Sequence, residues 1–336
     1  MAKTLLTIIL NWRTADMTLR SAEAALREMA GISGALTIVD NDSGDGSYEK
    51  IRAVVVARGW DKGEIPVRVL QSGHNGGFGA GNNAGIRAGL PGGERPDYIY
   101  ILNSDAFPDP GAICKLLEHM EAHPKLGFAG SYIHGDDGAP HRTAFRFPSA
   151  LGDFEAHFRY GPVSRLLRRK IVAQPIPQVT TRVDWLAGAS MMMRREVLDE
   201  IGLFDETFFL YFEETELCHR AAMAGHPTDY VRDSSVTHIG SVSTGMKTWQ
   251  RMPEYWFDSR AWYYTRTRGK TYWAIATISM ILGASLCRLR MLIQHKDRRD
   301  PPMFLLDLIR HSLRGLFKPT APTVLKVKPA ATREGV

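Results

Sequence analysis

Along the first 125 residues, short apolar runs rich in β-branched and aromatic side chains alternate with longer stretches whose apolar positions recur every three or four residues. The first pattern reads as buried strand and the second as amphipathic helix. Strands are thereby predicted at residues 4–10, 36–39, 67–70 and 98–102. Helices are predicted from Thr14 to about Ala30, at 48–58, up to about Gly89 and at 110–123, with Thr14 or Asp16 capping the first and Pro110 in the opening turn of the last. Strand, loop and helix repeated with short loops predict an α/β fold: a doubly wound, mostly parallel sheet with helices on both faces.

The strict alternation then ends. Apolar runs at 128–133 and 141–147 bracket Gly135-Asp136-Asp137-Gly138 like a hairpin turn, and residues 148–182 read as a mobile loop or lid. Residues 183–193 read as one apolar strand, followed by a helix at 195–201 and a strand at 228–232 that His238 follows.

Polar residues gather where the predicted strands end. The run 98–108 passes from five apolar residues into Asn103-Ser104-Asp105 and then Phe107-Pro108, whose proline forbids simple continuation of the strand. In open α/β sheets ligands lie outside the carboxyl ends of the strands, so Asp105 is placed to meet a ligand or its metal; a plain turn before Phe-Pro accounts for it equally well. Asn11-Trp12-Arg13, Asp40-Asn41-Asp42 and the glycine loop 76–81 occupy matching positions and suit a nucleotide. A strand-end acid can accept from a pyrimidine imide N–H, and glycines let backbone N–H groups approach a pyrophosphate. Gly79-Ala80-Gly81-Asn82-Asn83-Ala84 also matches a dinucleotide fingerprint, which raises NAD binding, although that fingerprint belongs in a first βα turn and this one follows the third strand.

In the second half, aromatic residues at 208, 209, 211 and 212 precede Glu213, Glu214 and Glu216. Glu216 stands four residues before Arg220, a structural i,i+4 pair. For Glu213 and Glu214 an aromatic wall raises the pKa toward a general base's range while a helix terminus lowers it, and the residues alone leave that contest open. A lone histidine such as His238 is more often structural unless another ligand is expected beside it.

Composition narrows the class. A chain of 336 residues, 44% hydrophobic, supports a large folded domain with an appendage, and three cysteines without paired spacing suggest neither disulfides nor a thiolate zinc site, in keeping with a reducing cytosol. The N-terminal apolar run is too short for a signal-peptide core and reads as the first strand. Residues 260–336 hold 15 Lys/Arg against 4 Asp/Glu, which leaves 27 against 32 in residues 1–259. The acidic body argues against a nucleic-acid enzyme; the basic tail favours an anionic surface.

Taken in order, these stretches resemble the family 2 glycosyltransferases, inverting enzymes of the GT-A fold, and among them the bacterial rhamnosyltransferase-like members of polysaccharide assembly. The likeness spans about residues 4–245: Asn11-Trp12, the Asp40 to Ser47 strand end, the Asn75 to Asn83 glycine loop, Leu102-Asn103-Ser104-Asp105 as a form of the DxD metal motif, then Trp185 to Arg195 and Gly202 to Arg220. It implies donor contacts at Asn11, Trp12, Asp40, Asn41, Asp42, Asn75, Gly77, Gly81, Asn82, Asn103 and Ser104. It further implies Mg²⁺ or Mn²⁺ on Asp105 with His238, an acceptor site at Trp185 and Gly188, and Glu214, with Glu213 beside it, as base. Asn103 stands where a DxD motif has its first acid, and Glu214 where many members have aspartate. The implied reaction moves a sugar from a UDP- or dTDP-sugar, dTDP-rhamnose among them, to a lipid-linked or polysaccharide acceptor. A nucleotidyltransferase on a similar sheet is the nearest alternative beside an NAD-dependent enzyme, although no basic triphosphate loop follows the first strand.

Beyond residue 250 the pattern changes. Residues 271–287 carry no charge and are flanked by Arg266, Arg268, Lys270, Arg288 and Arg290, and a second amphipathic stretch starts near Met303. The expected organisation is a catalytic domain at 1–250, an aromatic and basic helical region at 251–318 and a disordered tail at 319–336. The uncharged stretch is slightly short for a span and reads as an interfacial helix on an anionic, cytoplasmic membrane face, from which truncation near Arg251 would release the enzyme.

Overall fold

The computed structural model describes residues 3–240, 251–297 and 300–317. Its first half follows the predicted alternation: β1 (Leu5–Asn11), α1 (Ala15–Glu28), β2 (Gly34–Asp40), α2 (Ser47–Ala57), β3 (Val67–Gln71), α3 (Gly77–Ala88) and β4 (Tyr98–Asn103). β5 (Ala106–Pro108), α4 (Ala112–Ala122) and β6 (Phe128–His134) come next. Then follow β7 (Ala144–Phe145), α5 (Ala150–Phe158), α6 (Gly161–Leu166), β8 (Thr181–Val183), β9 (Trp185–Leu186), β10 (Ser190–Arg194), α7 (Arg195–Ile201), α8 (Glu213–Met223) and β11 (Thr228–His238). The C-terminal helices are α9 (Glu254–Arg268), α10 (Lys270–Ile293) and α11 (Phe304–Phe317).

The main sheet runs β3-β2-β1-β4-β10-β6-β11-β5, with β8 also on β11. β1 pairs in parallel with β2 and β4, and β11 with β6, while β10, β5 and β8 run antiparallel to their neighbours. The sheet is therefore mostly parallel, with one apolar core on each face. Leu5, Ile9, Leu36 and Ile38 point to α1, α2 and α4, and Leu6, Ile8, Val39 and Ile99 to α3, α7 and α8. Alternation of buried residues on each strand follows from the two-residue period of the pleat.

Several expectations are corrected. Pro108 does not stop the chain's strand pairing: after the turn at Ser104-Asp105 it lies in β5, opposite Val236 at the edge of the sheet, where its missing N–H is tolerated. Pro110 precedes α4, whose cap is Gly111 in the left-handed region. The glycine loop is largely helix, since α3 begins at Gly77. The turn at Gly135–Gly138 forms, but only His134 and Pro140 bridge across it, and β7 leaves to pair with β9 in a small second sheet. Residues 148–182 are not all loop: they hold α5 and α6, and α5 packs along α10, where a Cβ on Gly283 would strike the Phe154 carbonyl. The single strand expected at 183–193 is three pieces, β8, β9 and β10, turned by Asp184, whose carboxylate accepts from Phe147 N, and by residues 187–189. His238 closes β11 rather than following it; a register shift between Val231 and Ser235 lengthens that strand.

The C-terminal helices share a core with the sheet domain: Tyr263, Tyr264 and Trp273 are buried with Phe208 and Ala150. The tail expected at 319–336 lies outside the described residues.

Candidate active site

Parallel pairing brings strand ends to one edge. Asn11 pairs with Asp40 and Asp40 with Gln71, while Asn103 lies opposite Leu10. The switch point between β1 and β4 is where an open α/β sheet takes its ligand.

At the ends of β1 and β2 Asn11 is fully buried and spent on its neighbours: Nδ2 donates to Asp40 Oδ1 at 2.7 Å and to Ser43 Oγ at 3.2 Å, and Oδ1 accepts from Thr18 Oγ1 at 2.7 Å. Asp40 also accepts from Ser43 Oγ at 2.6 Å and Ser43 N at 3.1 Å. Two oxygens with about four lone-pair sites then leave one, on Oδ2, for an imide N–H. Asn41 Nδ2 donates to Asn75 Oδ1 at 2.9 Å, and Asn75 Oδ1 accepts from Gly77 N at 3.1 Å, which ties the second strand end to the start of α3. Trp12 is half-buried beneath the Arg13 guanidinium, 5.0 Å from its ring centroid, and Asp42 is exposed at a left-handed turn position.

Gly81 is placed differently from a phosphate-binding glycine. A Cβ there would strike the Leu10 side chain, and one at Gly85 would lie 2.9 Å from Ile8 Cγ2, so these glycines let α3 settle onto β1 and β2. Gly77, at φ 89°, sits against the Phe209 carbonyl, which accepts from Phe78 N at 3.0 Å. Asn82 is buried and donates to Phe78 O at 2.9 Å, leaving Oδ1 without a protein partner.

The Ser104-Asp105 turn is pinned from both sides. Thr14 Oγ1 donates to Ser104 Oγ at 3.3 Å, and Ser21 Oγ donates to the carbonyls of Asn103 and Ala106 at 3.0 and 2.8 Å. Because Ala106 pairs with His238, the preceding Asp105 falls beside that ring: His238 Nε2 is 3.0 Å from Asp105 Oδ1 and 3.4 Å from the Asn103 amide. A carboxylate oxygen and an imidazole nitrogen side by side are groups that could hold Mn²⁺ or Mg²⁺, with the Asn103 amide nitrogen next to the ring as a hydrogen-bond donor. Among the described residues no group of three His, Cys, Asp or Glu is assembled for a metal, so the protein's contribution would be Asp105 and His238 alone. The His141 ring, edge-on to His238 at 6.2 Å, lines the same place. Sequence reasoning passed over His141, since only the bridge after His134 brings it there.

Farther along the chain, α8 opens with Glu213 and Glu214 after Tyr211 and Phe212, both in the left-handed region. Burial wins over the helix terminus. Desolvation raises Glu214 to about 7, against backbone hydrogen bonds from its own N–H and that of Gly188. Glu213 is pushed well above the carboxylate range by burial and then by the charge of Glu214. Desolvation thus raises both carboxyls, and the charge of one further opposes ionisation of the other, so the pair does not readily hold two charges. The Oε2 of each is shielded and has no protein partner. Gly188 is packed on the Phe78 ring, and Trp185 stacks on Phe145 at 4.1 Å with Nε1 donating to Arg146 O at 2.9 Å. Glu216 is structural, as its spacing indicates: it is fully buried, and Arg220 Nε donates to its oxygens at 2.8 and 2.9 Å.

A mostly parallel sheet that brings Asn11, Asp40 and Asn103 to one edge, sets Asp105 beside His238 and leads to a buried carboxylate pair at the start of α8 has the make-up of a GT-A glycosyltransferase. The chain belongs to the glycosyltransferase-like family 2, whose model matches residues 6–265. It is 26% identical over 248 residues to an N-acetylglucosaminyl-diphospho-decaprenol L-rhamnosyltransferase of Mycobacterium tuberculosis, covering 70% of this chain and 78% of the relative. It is 30% identical over 159 residues to the rhamnosyltransferase WbbL of Escherichia coli, covering 46% and 58%. In fold it is similar to the mannosyltransferase PcManGT of Pyrobaculum calidifontis, solved with GDP-Man and Mn²⁺, at a TM-score of 0.58 and 12% identity over 94% of this chain and 88% of that one. The NAD-dependent and nucleotidyltransferase alternatives fall with the family assignment, and the dinucleotide-like glycines are accounted for by helix packing.

Proposed function

We propose that this glycosyltransferase inverts: it moves a hexose, with rhamnose from a UDP- or dTDP-sugar as the leading case, onto a hydroxyl of a lipid-linked saccharide on the cytoplasmic side of a membrane. The observation that carries this reading is the placement of Glu213 and Glu214 in the first turn of α8, each with a shielded Oε2 that no protein group occupies, in surroundings whose desolvation raises both carboxyls. Inversion needs one displacement and one base. Glu214 takes the acceptor hydroxyl proton as that oxygen attacks the anomeric carbon, and the C–O bond to the nucleoside diphosphate breaks on the opposite side. Gly188 and Trp185 line the acceptor approach, while Asp40, Asn41 and Asn75 shape the nucleoside end. Asp105 and His238 would hold Mg²⁺ or Mn²⁺, which when bound offsets charge on the leaving diphosphate.

The acceptor class is supported by the relative that acts on N-acetylglucosaminyl-diphospho-decaprenol. The test is mass spectrometry of lipid-linked product after incubation of the full chain with polyprenyl-diphospho-N-acetylglucosamine and a panel of sugar nucleotides. Transfer of one hexose from dTDP- or UDP-sugar with inverted configuration is expected. Transfer with retained configuration, or none from any donor, would overturn the reading.

A further inference from the structure

The C-terminal helices leave an apolar stripe uncovered. On α10 one face is buried at Trp273, Ala276, Met280, Ala284 and Met291, while the opposite face carries Ile275, Ile278, Leu282, Leu289 and Leu292, each 51% to 73% exposed. A helix apolar on both faces calls for an apolar surrounding on both. Leu313 and Leu316 on α11, and Met303 just before it, are also exposed.

Charge selects the occupant. Arg290 Nη2 donates to the carbonyls of Phe158 and Arg159 at 3.0 and 2.9 Å, fastening the last turns of α10 to the point where α5 hands over to α6. From there, residues 156–183 hold six Lys/Arg and no Asp/Glu. Arg165, Arg168, Arg169 and Lys170 are all exposed, and Leu166 among them is 82% exposed. A basic run beside an apolar stripe matches anionic headgroups beside acyl chains. We propose that the outer stripe of α10 and the basic run 165–170, at and just after the end of α6, form one docking face for an anionic lipid bilayer, with α10 lying in the interface rather than crossing it. Crossing would carry the buried Arg260, which donates to Asp153 Oδ2 at 2.7 Å and to Thr277 Oγ1 at 3.1 Å, into hydrocarbon with the helix. The face deepens the lipid-linked acceptor reading and takes its purpose from it, but its test does not require transfer.

The experiment is co-sedimentation of the full-length chain with vesicles of phosphatidylcholine alone or with phosphatidylglycerol. One variant replaces Arg165, Arg168, Arg169 and Lys170 with Gln; a second carries Leu282→Asp and Leu289→Asp. Wild type is expected to prefer the anionic vesicles and to release in salt, the first variant to bind them at least about tenfold more weakly, and the second to lose both vesicle types. Melting temperatures near wild type show that both variants fold. Equal binding to neutral and anionic vesicles, or unchanged binding by both folded variants, would overturn the proposal, as would a solution dimer that the stripe variant abolishes while wild type binds no vesicle. Vesicle binding without glycosyl transfer would fail the function proposed above and leave the docking face standing.

Discussion

The indole Nε1 of Trp262 donates to Asp205 Oδ2 at 2.9 Å, so a helix beyond residue 250 holds the segment that delivers Glu213 and Glu214. Arg266 pairs with Asp205 at 3.0 Å and Glu216 at 3.1 Å, and Ser259 Oγ donates to Leu210 O at 3.0 Å. Between these anchors Tyr211 and Phe212 hold φ of 69° and 70°, a conformation that costs roughly 1 kcal/mol or more per residue and persists where its surroundings impose it. Trp262→Phe keeps the ring and removes the donor. It is expected to lower kcat several-fold with little change in donor KM, and to cost about 1–2 kcal/mol of stability. Steady-state kinetics beside thermal melts check this, and an unchanged kcat would show that the clamp does not reach the base.

Truncation near Arg251 is expected to unfold the chain rather than release a working enzyme. It removes Tyr263, Tyr264 and Trp273 from the cluster that buries Phe208, and the Tyr272 hydroxyl that accepts from Ala150 N at 3.2 Å. Circular dichroism and limited proteolysis of the truncated chain decide the matter: a cooperative melt near the full-length value would contradict it.

Gly77→Ala should be far more damaging than Gly81→Ala. At Gly77 a Cβ meets the fixed Phe209 carbonyl at a left-handed φ, which breaks the joint between α3 and the segment before Glu213. At Gly81 it meets the Leu10 side chain, which can turn aside at a cost of about 1–3 kcal/mol. Urea melts of the two variants give the order, and equal losses would show that the Phe209 joint carries no special weight.

Most of the first half was legible because each element there is periodic over its own length, as in Leu5–Asn11 or Ala112–Ala122. What escaped reading depends on partners far along the chain. α5 is short, and its packing surface is α10, more than a hundred residues later. Asp105 and His238 are 133 positions apart and meet through β5, a strand whose Pro108 argued against pairing until its edge position was known. The acids at 213 and 214 were visible, but the upward shift of both carboxyls depends on burial, which spacing does not reveal.

Asp105→Ala and His238→Ala should both weaken Mn²⁺ binding measured with UDP or dTDP present, Asp105→Ala by the larger factor because it removes the charged ligand. Loss of His238 is expected to narrow the preference for Mn²⁺ over Mg²⁺, since imidazole favours the former. Electron paramagnetic resonance titration of free Mn²⁺ reads this without reference to turnover. Wild-type affinity in both variants, or full activity in excess chelator, would remove the metal from Asp105.

The carboxylate pair makes a signed prediction in pH. With Glu214 as the proposed base, kcat should rise with pH and level off above about 7. Stability should move the other way. A carboxyl whose folded pKa lies above its unfolded value binds its proton more tightly when folded, so its contribution is complete below the unfolded value near 4.5 and is lost as pH rises through about 7. Glu214→Gln fixes the neutral form: it should abolish transfer, retain donor binding, and melt higher than wild type at pH values above 7, by up to about 3 kcal/mol in free energy. Glu213→Gln mimics the protonated side chain and should keep transfer within about threefold, while lifting the charge coupling between the two. Should the inactive variant prove to be Glu213→Gln, with Glu214→Gln active, the base is the earlier residue.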